Sequence, residues 1–187
     1  MQDAQRTRYI CKVPGEEAMI WGYQLFDGDG NMIQDTTVDA RVRESNPQIP
    51  KEARQFCDAS GYHYYMRYGV DSKDFWEALD YCEKSGGHLV SIDSEKENDF
   101  VFNTFCKEKT TYDPPYIGVW REWGNWSNEL AEYKNWDGGK PSNIADESCG
   151  AFSNKFNGKW DNVENYTSGS FICEWDVPFE AVQNKQG

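Results

Sequence analysis

The chain has 187 residues, a formal net charge of −13 at pH 7 and an aromatic content of 16% that includes 8 tryptophans. This length suits one ordinary domain with an extension, or two small domains. The negative charge argues against nucleic acid as a partner, because phosphates would be repelled. No apolar run reaches the length of a membrane span. The abundance of tryptophan and tyrosine predicts a compact β-rich unit with large rings on its loops.

The 6 cysteines include no C-x-x-C pair, which favours disulfides over zinc ligands and therefore an oxidising compartment. The first residues, MQDAQRTRYICK, contain no apolar signal-peptide core. A leader outside this sequence, a fragment of a longer chain and a cytosolic protein are all compatible with that. Asn125-Trp126-Ser127 and Asn165-Tyr166-Thr167 are acceptor tripeptides for N-glycosylation if the chain is secreted. We expect a secreted or extracellular glycoprotein.

Residues 1–55 are predicted to be an N-terminal extension or linker. Within it, residues 8–14 (RYICKVP) echo residues 171–178 (FICEWDVP). Two explanations stay open for this similarity: the tail of a preceding module with the same ending, or a chance match in a short strand. Just beyond the extension, an aromatic strand carries His63, which we interpret as structural because no partnered nucleophile is evident nearby.

Two helices are predicted in the middle of the chain. Apolar residues recur at helical spacing at Phe75, Ala78, Leu79 and Cys82. This spacing predicts a helix over about residues 74–85, which Gly86 ends with a left-handed cap. The second helix is predicted over about residues 94–106, and Ser94 with Glu97 would form its capping box.

The last third of the chain predicts short β-strands separated by polar loops. Asn157-Gly158 indicates a hairpin turn, because such a turn needs positive φ at both central positions. The segment from Arg121 to Ala151 is rich in Gly, Asn and Trp, and loops of this length usually carry function. Helices followed by strands give an α+β fold class.

Seven short motifs follow one another in a characteristic order: WEALDYC (76–82), GGHLVSI (86–92), YIGVW (116–120), GKPSN (139–143), ESC (147–149), WDN (160–162) and ICEW (172–175). Together they resemble the C-type lectin-like domain over residues 56–176, which leaves residues 177–187 as a C-terminal tail. The resemblance implies two helices packed on twisted antiparallel β-sheets, beside a long loop region that forms the binding site.

The resemblance also implies a disulfide between Cys82 and Cys173, joining the first helix to the last strand. The family's second bridge would join Cys149 to a cysteine at the position that Asn165 occupies here. Cys149 is therefore free or paired unusually. The remaining cysteines allow three pairings, which the sequence leaves open: they are Cys11, Cys57, Cys106 and Cys149.

In sugar-binding members of the family, a calcium ion held by oxygen ligands chelates two sugar hydroxyls, and an aromatic ring packs against the sugar. Carried onto this chain, the ligand-binding residues are Lys140, Ser142, Asn143, Glu147, Trp160, Asp161 and Asn162. The expected calcium ligands among them are Glu147, Asp161 and Asn162. Lys140 replaces an oxygen ligand with a positive charge that opposes calcium, and it could instead pair with Glu147. We therefore expect Ca²⁺ binding to be weak or absent.

The predicted function is a non-enzymatic, extracellular binding module for carbohydrate or a glycoprotein, with a degraded calcium site. The alternative is a calcium-independent module of the same fold that binds a protein ligand or a surface. The sequence contains no Ser-His-Asp order, metal-protease helix or phosphate loop that would indicate an enzyme. Capture on immobilised sugar, with and without a chelator, would separate the two binding hypotheses.

Overall fold

The structure, a computed structural model, describes residues 24–26, 32–35, 42–58, 60–107, 113–128, 131–155 and 157–178. These residues belong to two compact units: the first is drawn from Met1–Tyr64 and Trp175–Gly187, and the second spans Tyr65–Glu174. Cys11, the motif at residues 8–14 and most of the predicted tail lie outside the described residues. The domain boundaries near residues 55 and 176 stay predictions.

In chain order the elements are β1 (Gln24–Phe26), β2 (Met32–Asp35), α1 (residues 42–45), β3 (Arg54–Cys57), β4 (Gly61–Lys73), α2 (Phe75–Lys84), β5 (His88–Leu89), α3 (Glu95–Phe105), β6 (Tyr116–Glu122), β7 (Asn125–Asn128), β8 (Cys149–Phe152), β9 (Trp160–Val163) and β10 (Gly169–Pro178). The first unit contains β1 to β3, the start of β4 and the end of β10. The first unit also contains α1, and the second unit contains α2, α3, the remaining strands and the rest of β4 and β10. The α+β class expected from the sequence is confirmed.

The first unit has its own buried side chains and a polar cluster around a histidine. The buried apolar residues are Val42, Ile49, Ala53, Tyr62, Tyr64, Trp175 and Val177. His63 is 8% exposed and lies between two carboxylates, with Nδ1 2.5 Å from Asp176 Oδ1 and Nε2 3.2 Å from Asp58 Oδ1. Ser60 Oγ lies 3.0 Å from the same Nε2 and donates to Asp58 Oδ1 at 2.6 Å.

We found no Ser-His-Asp order in the sequence, but these contacts place Ser60, His63 and Asp176 in one. Their geometry differs from that of a catalytic triad. The nitrogen that would accept the serine proton also faces the Asp58 carboxylate, so it acts best as a donor. The other ring nitrogen faces the Asp176 carboxylate, so carboxylates engage both nitrogens of the ring. We therefore interpret His63 as a structural residue that ties the β3–β4 turn to the end of β10.

The Asp58 carboxylate gives this cluster a pH dependence. Burial by itself would raise the pKa of Asp58, but hydrogen bonds from His63 and Ser60 outweigh burial and hold the pKa well below its ordinary value of 3.8. A depressed folded-state pKa stabilises the fold above the ordinary value, and the contribution is lost as the pH falls through the folded-state pKa. We expect Asp58→Asn to lower the melting temperature at pH 7, and the difference from the parent to shrink below about pH 4.

Melting curves recorded from pH 7 down to pH 2 test this expectation. Asp99→Asn is the matched control, because Asp99 is an exposed carboxylate on α3. The control should follow the parent curve at every pH. If the difference between Asp58→Asn and the parent stays constant down to pH 2, the Asp58 charge is not what stabilises the cluster.

Helix α2 forms where the sequence predicts a helix, and a capping box between Asp74 and Glu77 closes its N-terminus. The Asp74 carboxylate accepts from the Glu77 backbone N–H at 2.9 Å, and Glu77 Oε2 accepts from the Asp74 N–H at 3.1 Å. This reciprocal pair satisfies two backbone donors that the first turn leaves without helical partners. The buried face carries Phe75, Ala78 and Cys82. Gly86 follows with φ 81°, as the predicted left-handed cap requires.

Helix α3 is also confirmed, with only half of its predicted capping box. Ser94 Oγ accepts from the Glu97 N–H at 3.3 Å. The Glu97 carboxylate instead accepts from the Asp93 N–H at 2.7 Å and from the Tyr65 hydroxyl at 2.5 Å. Glu97 is only 1% exposed, so these two donors satisfy a carboxylate that is buried in the fold.

The sheet of the second unit is built around β10. The strand order is β4-β10-β6-β8-β9, with β5 paired to β10 and β7 paired to β6. The sequence led us to expect antiparallel sheets, and most pairs are antiparallel. Strands β10 and β6 are instead parallel, at Phe171 and Tyr116, so the sheet is mixed. A parallel pair is possible here because the long segment between β6 and β10 lets the chain return in the same direction.

The disulfide expected from the family resemblance is present. Cys82 of α2 is bonded to Cys173 of β10 across 91 residues of sequence. Closing a loop of that length stabilises the fold by about 4–5 kcal/mol in the chain-entropy model. Cys106 and Cys149 are free and buried, and burial raises the pKa of each thiol to about 12. Cys57 is disulfide-bonded.

Candidate functional site

The connection from β7 to β8 returns to the sheet along β9. The Trp160 N–H donates to the Asn135 carbonyl at 2.9 Å, and the Asp137 N–H donates to the Trp160 carbonyl at 2.8 Å. These bonds anchor the loop beside the WDN motif. Because side chains alternate along a strand, Trp160 and Asn162 point inward while Asp161 is half-buried at the surface. The alternation along β9 therefore decides which of these three side chains a ligand could reach.

The hairpin predicted at Asn157-Gly158 takes a different form. Strands β8 and β9 pair antiparallel with Phe152 opposite Trp160, so the connection is longer than a two-residue turn. Gly158 has φ 72°, but Asn157 is not among the residues with positive φ in the described chain. Asn157 Oδ1 instead accepts from the Lys159 N–H at 3.0 Å, and this bond shapes the local turn.

Trp160 is a core residue, and its prediction as a ligand contact is corrected. Its side chain is 0% exposed. The indole N–H donates to Asn98 Oδ1 at 2.8 Å, and the ring meets the edges of Tyr133 and Trp136. A buried tryptophan whose only polar atom already has a partner cannot pack against a ligand at the surface. Trp160 therefore stabilises β9 through its packing in the core.

The positively charged Lys140 side chain lies between the expected calcium ligands Glu147 and Asp161. The Lys140 ammonium lies 2.7 Å from Asp161 Oδ1 and 3.8 Å from Glu147 Oε2. The three side chains are 21–27% exposed, so water screens them only partly. The approach to Asp161 is close but lacks hydrogen-bond alignment, and Asp161 Oδ1 is a buried acceptor with no hydrogen-bond donor among the described residues. The contact is therefore an ion pair rather than a directed hydrogen bond.

Asn162 connects the loop to β9 through both ends of its amide. Its Oδ1 accepts from the Ser142 N–H at 2.7 Å, and its Nδ2 lies 3.0 Å from Ser142 Oγ and 3.0 Å from Glu147 Oε2. Ser142 Oγ donates to the same Glu147 oxygen at 2.5 Å. Asn162 is 2% exposed, so these bonds replace water for a buried amide. The oxygen that could ligate a cation is already used.

Asn143 lies outside this network. It is exposed, and among the described residues no side chain forms a hydrogen bond or ion pair with it. Of the seven predicted site residues, five come together around the Lys140 ammonium: Lys140, Ser142, Glu147, Asp161 and Asn162. Asn143 borders the cluster at its solvent side, and Trp160 lies beneath it.

Arg121 supports the site and was not identified from the sequence. Its guanidinium donates to the carbonyls of Ile144 at 3.0 Å and Ala145 at 2.7 Å, and it lies over the Trp126 ring at 5.8 Å. These bonds hold the segment between Asn143 and Glu147 against the β6–β7 hairpin. No local pattern marks Arg121, because its partners are 23–24 residues away in the sequence.

Two carboxylates and one ammonium leave the cluster with one net negative charge. Glu147 and Asp161 retain carboxylate oxygens that suit a hard cation. A cation entering between them would meet the ammonium, which has donors and no acceptor. The same groups can hydrogen-bond hydroxyls and amides of a ligand directly. The arrangement therefore offers both charged acceptors and a charged donor to a polar ligand.

The family model of the lectin C-type domain matches residues 71–175, which is more than half of the chain. The chain therefore belongs to the C-type lectin domain family. The match covers α2, α3, the cluster of residues around Lys140 and the disulfide between Cys82 and Cys173.

Known relatives and solved structures agree with this assignment. A lectin of Pleurodeles waltl is 28% identical over 150 residues, covering 72% of this chain and 84% of the relative. The structure of a mouse scavenger receptor C-type lectin carbohydrate-recognition domain is similar with a TM-score of 0.56 and 23% identity, over 68% of this chain and 97% of that one. A calcium-independent type II antifreeze protein gives a TM-score of 0.54 and 22% identity, over 65% and 95%. The two structures establish the fold alone.

The Asn162 network predicts a measurable loss of stability. Asn162→Ala removes the acceptor of the Ser142 N–H and leaves polar groups of the loop without partners. We expect the free energy of unfolding to fall by about 1–3 kcal/mol, measured by denaturant titration. Asn143→Ala is the matched control and should change the free energy of unfolding by no more than about 0.5 kcal/mol. Asn143 is exposed, and its side chain forms no hydrogen bond to any residue that the structure describes. Equal effects of the two substitutions would contradict the assigned role of Asn162.

Proposed function

We propose that the chain is a non-enzymatic, extracellular binding module whose loop site works without calcium. The single observation that supports this is the Lys140 ammonium 2.7 Å from Asp161 Oδ1 and 3.8 Å from Glu147 Oε2. The Lys140 ammonium already neutralises part of the charge on the two carboxylates that would attract a metal cation. The fold is compatible with such a use, as the calcium-independent antifreeze protein illustrates.

Electrostatics supports the same proposal. Near a protein surface, two unit charges 4 Å apart interact by about 4 kcal/mol, and a divalent ion doubles that repulsion from the ammonium. Lys140 has a flexible side chain and can turn toward solvent, but only by giving up its ion pairs. Asn162, the third expected calcium ligand, would also have to release its bond to the Ser142 N–H. Both costs oppose occupancy by calcium.

The first candidate ligand is a protein surface. Trp160 is buried and cannot stack on a sugar ring, so the site lacks the aromatic contact that the sequence led us to expect from Trp160. Next to Asn143, Ile144 is 55% exposed and gives the site an apolar contact beside its polar groups. An apolar side chain surrounded by polar ones is the usual composition of a protein interface.

The second candidate ligand is carbohydrate. Lys140, Glu147 and Asp161 are partly exposed, and their charged groups can hydrogen-bond sugar hydroxyls without an ion. An extracellular location is supported by the Cys82–Cys173 bond, because disulfides persist in oxidising compartments. None of the described helices is long and apolar enough to cross a membrane.

Calorimetry with calcium tests the central proposal. We expect the parent to bind Ca²⁺ weakly or not at all at this site, and Lys140→Glu to bind at least about tenfold more tightly, since it replaces a repulsion with an oxygen ligand. Lys96→Glu makes the same charge change on an exposed residue of α3 and should leave calcium binding as in the parent.

Glu147→Ala identifies which site any calcium occupies. Calcium binding by the parent that survives Glu147→Ala takes place elsewhere on the chain and leaves the proposal intact. Tight binding by the parent that Glu147→Ala abolishes would overturn it.

Ligand capture separates the two candidate ligands. The parent is passed over immobilised sugars and over immobilised extracellular proteins, each with and without a chelator. Protein capture that persists with the chelator and weakens in Ile144→Asp supports the first candidate. Chelator-resistant sugar capture that weakens in Lys140→Met supports the second. Capture of either kind that the chelator abolishes contradicts the proposed independence from calcium.

A further inference from the structure

The β6–β7 hairpin has a turn that is unusual for the residues it contains. Glu122 and Asn125 are opposite each other in the register, so Trp123 and Gly124 are the two turn residues. Their φ angles are 50° and 86°. Two consecutive positive values are typical of the type I′ turn, which usually has Asn or Gly at both positions. A bulky ring at the first position is uncommon in this conformation.

Trp123 is also the most exposed of the large hydrophobic residues in the described chain. Its side chain is 94% exposed, whereas the other exposed large hydrophobics range from 38% to 60%. Neither turn geometry nor burial accounts for a tryptophan at this position. A single exposed ring is common on a protein surface, but this one is free to pack against a group attached beside it.

The residue that follows the turn is the acceptor of a glycosylation tripeptide. Asn125 is exposed and begins Asn125-Trp126-Ser127. Trp126 is half-buried and packs against Trp136 with ring centroids 4.8 Å apart, which keeps the other side of the strand occupied. At the neighbouring Gly124, an added Cβ would meet no atom within 4 Å other than those of its two chain neighbours. The folded hairpin therefore leaves open space for a bulky group at Asn125.

The second tripeptide, at Asn165, is in a tighter environment. Asn165 is half-buried, and its carbonyl accepts from the Phe75 N–H at 3.0 Å at the start of α2. The Thr167 hydroxyl donates to Glu164 Oε2 at 3.0 Å, and the Thr167 carbonyl accepts from the Tyr116 hydroxyl. A glycan on Asn165 would have to grow out of a turn that is bonded to two other elements.

We propose that Asn125 carries an N-linked glycan and that the Trp123 ring packs against its first N-acetylglucosamine. The donor would be a lipid-pyrophosphate-linked oligosaccharide of the secretory pathway. Asn125 Nδ2 forms a bond to the anomeric carbon and loses a proton, while the bond from that carbon to the pyrophosphate oxygen breaks and the lipid pyrophosphate leaves. The apolar face of the sugar ring then covers an aromatic face that is otherwise in water. This inference requires secretion, as the proposed function does, but it is independent of calcium and of the ligand.

Expression of the full chain behind a secretion leader, in cells that make high-mannose glycans, tests the modification. Intact mass and peptide mapping are recorded before and after peptide N-glycosidase treatment. We expect a glycan at Asn125 that Asn125→Gln removes and that Asn165→Gln leaves in place. A chain whose Asn125 is unmodified, whether secreted or retained in the cell, overturns the proposal. Calcium results at Lys140 have no bearing on this outcome, so the two proposals fail separately.

Partial deglycosylation tests the role of Trp123. Endoglycosidase H leaves one N-acetylglucosamine on Asn125, whereas peptide N-glycosidase, applied to a separate sample with intact glycan, removes the whole glycan and leaves an aspartate at position 125. We expect the melting temperature to fall by about 2–4 °C only when that last sugar is lost. Trp123→Ala should eliminate this difference. Trp76→Ala, which removes a tryptophan that is 49% exposed elsewhere, should preserve it. An equal difference in the parent and in Trp123→Ala would contradict the packing of ring on sugar.

Discussion

The bond between Cys82 and Cys173 is the constraint on which the second unit depends. It ties α2 to β10, and β10 is the strand that pairs with β4, β5 and β6. Phe171 and Ile172, which precede the bonded cysteine, are almost fully buried. One covalent link therefore fixes the helix, the centre of the sheet and the core between them. The long loop before β8 can then vary in sequence, because it is not needed to hold this frame together.

That freedom is visible in the Lys140 cluster. The family frame is kept, yet the position expected to supply a cation ligand supplies a cation instead. The neighbouring groups form hydrogen bonds within the cluster: Ser142 and Asn162 bond one another and Glu147. A polar network that is closed on itself stabilises the loop and also specifies what it can bind. What remains available to a ligand is the outer surface of the cluster, with Asn143 and Ile144 beside it.

Local patterns predicted the local structure well. The spacing of Phe75, Ala78 and Cys82 defined α2, and Gly86 ended it, because helical periodicity and a left-handed cap depend on neighbours in the sequence. Predictions that involved distant partners were less accurate. Glu97 was expected to cap its own helix but accepts from Asp93 and Tyr65. The parallel pairing of β10 with β6 also depends on where the chain returns, which no short motif encodes.

The sequence by itself determined the two helices, because they follow from residue type at helical spacing. Through its resemblance to the C-type lectin-like domain it also implied the family, the Cys82–Cys173 bond and an opposition between Lys140 and a calcium ion. The tertiary structure alone decided which atoms are available. It buried Trp160 under the site, directed Lys140 to Asp161 more closely than to Glu147, and brought Arg121 to the carbonyls that follow Asn143. Burial and pairing between residues far apart in the chain are set by how the strands pack, and residue type does not specify them in advance.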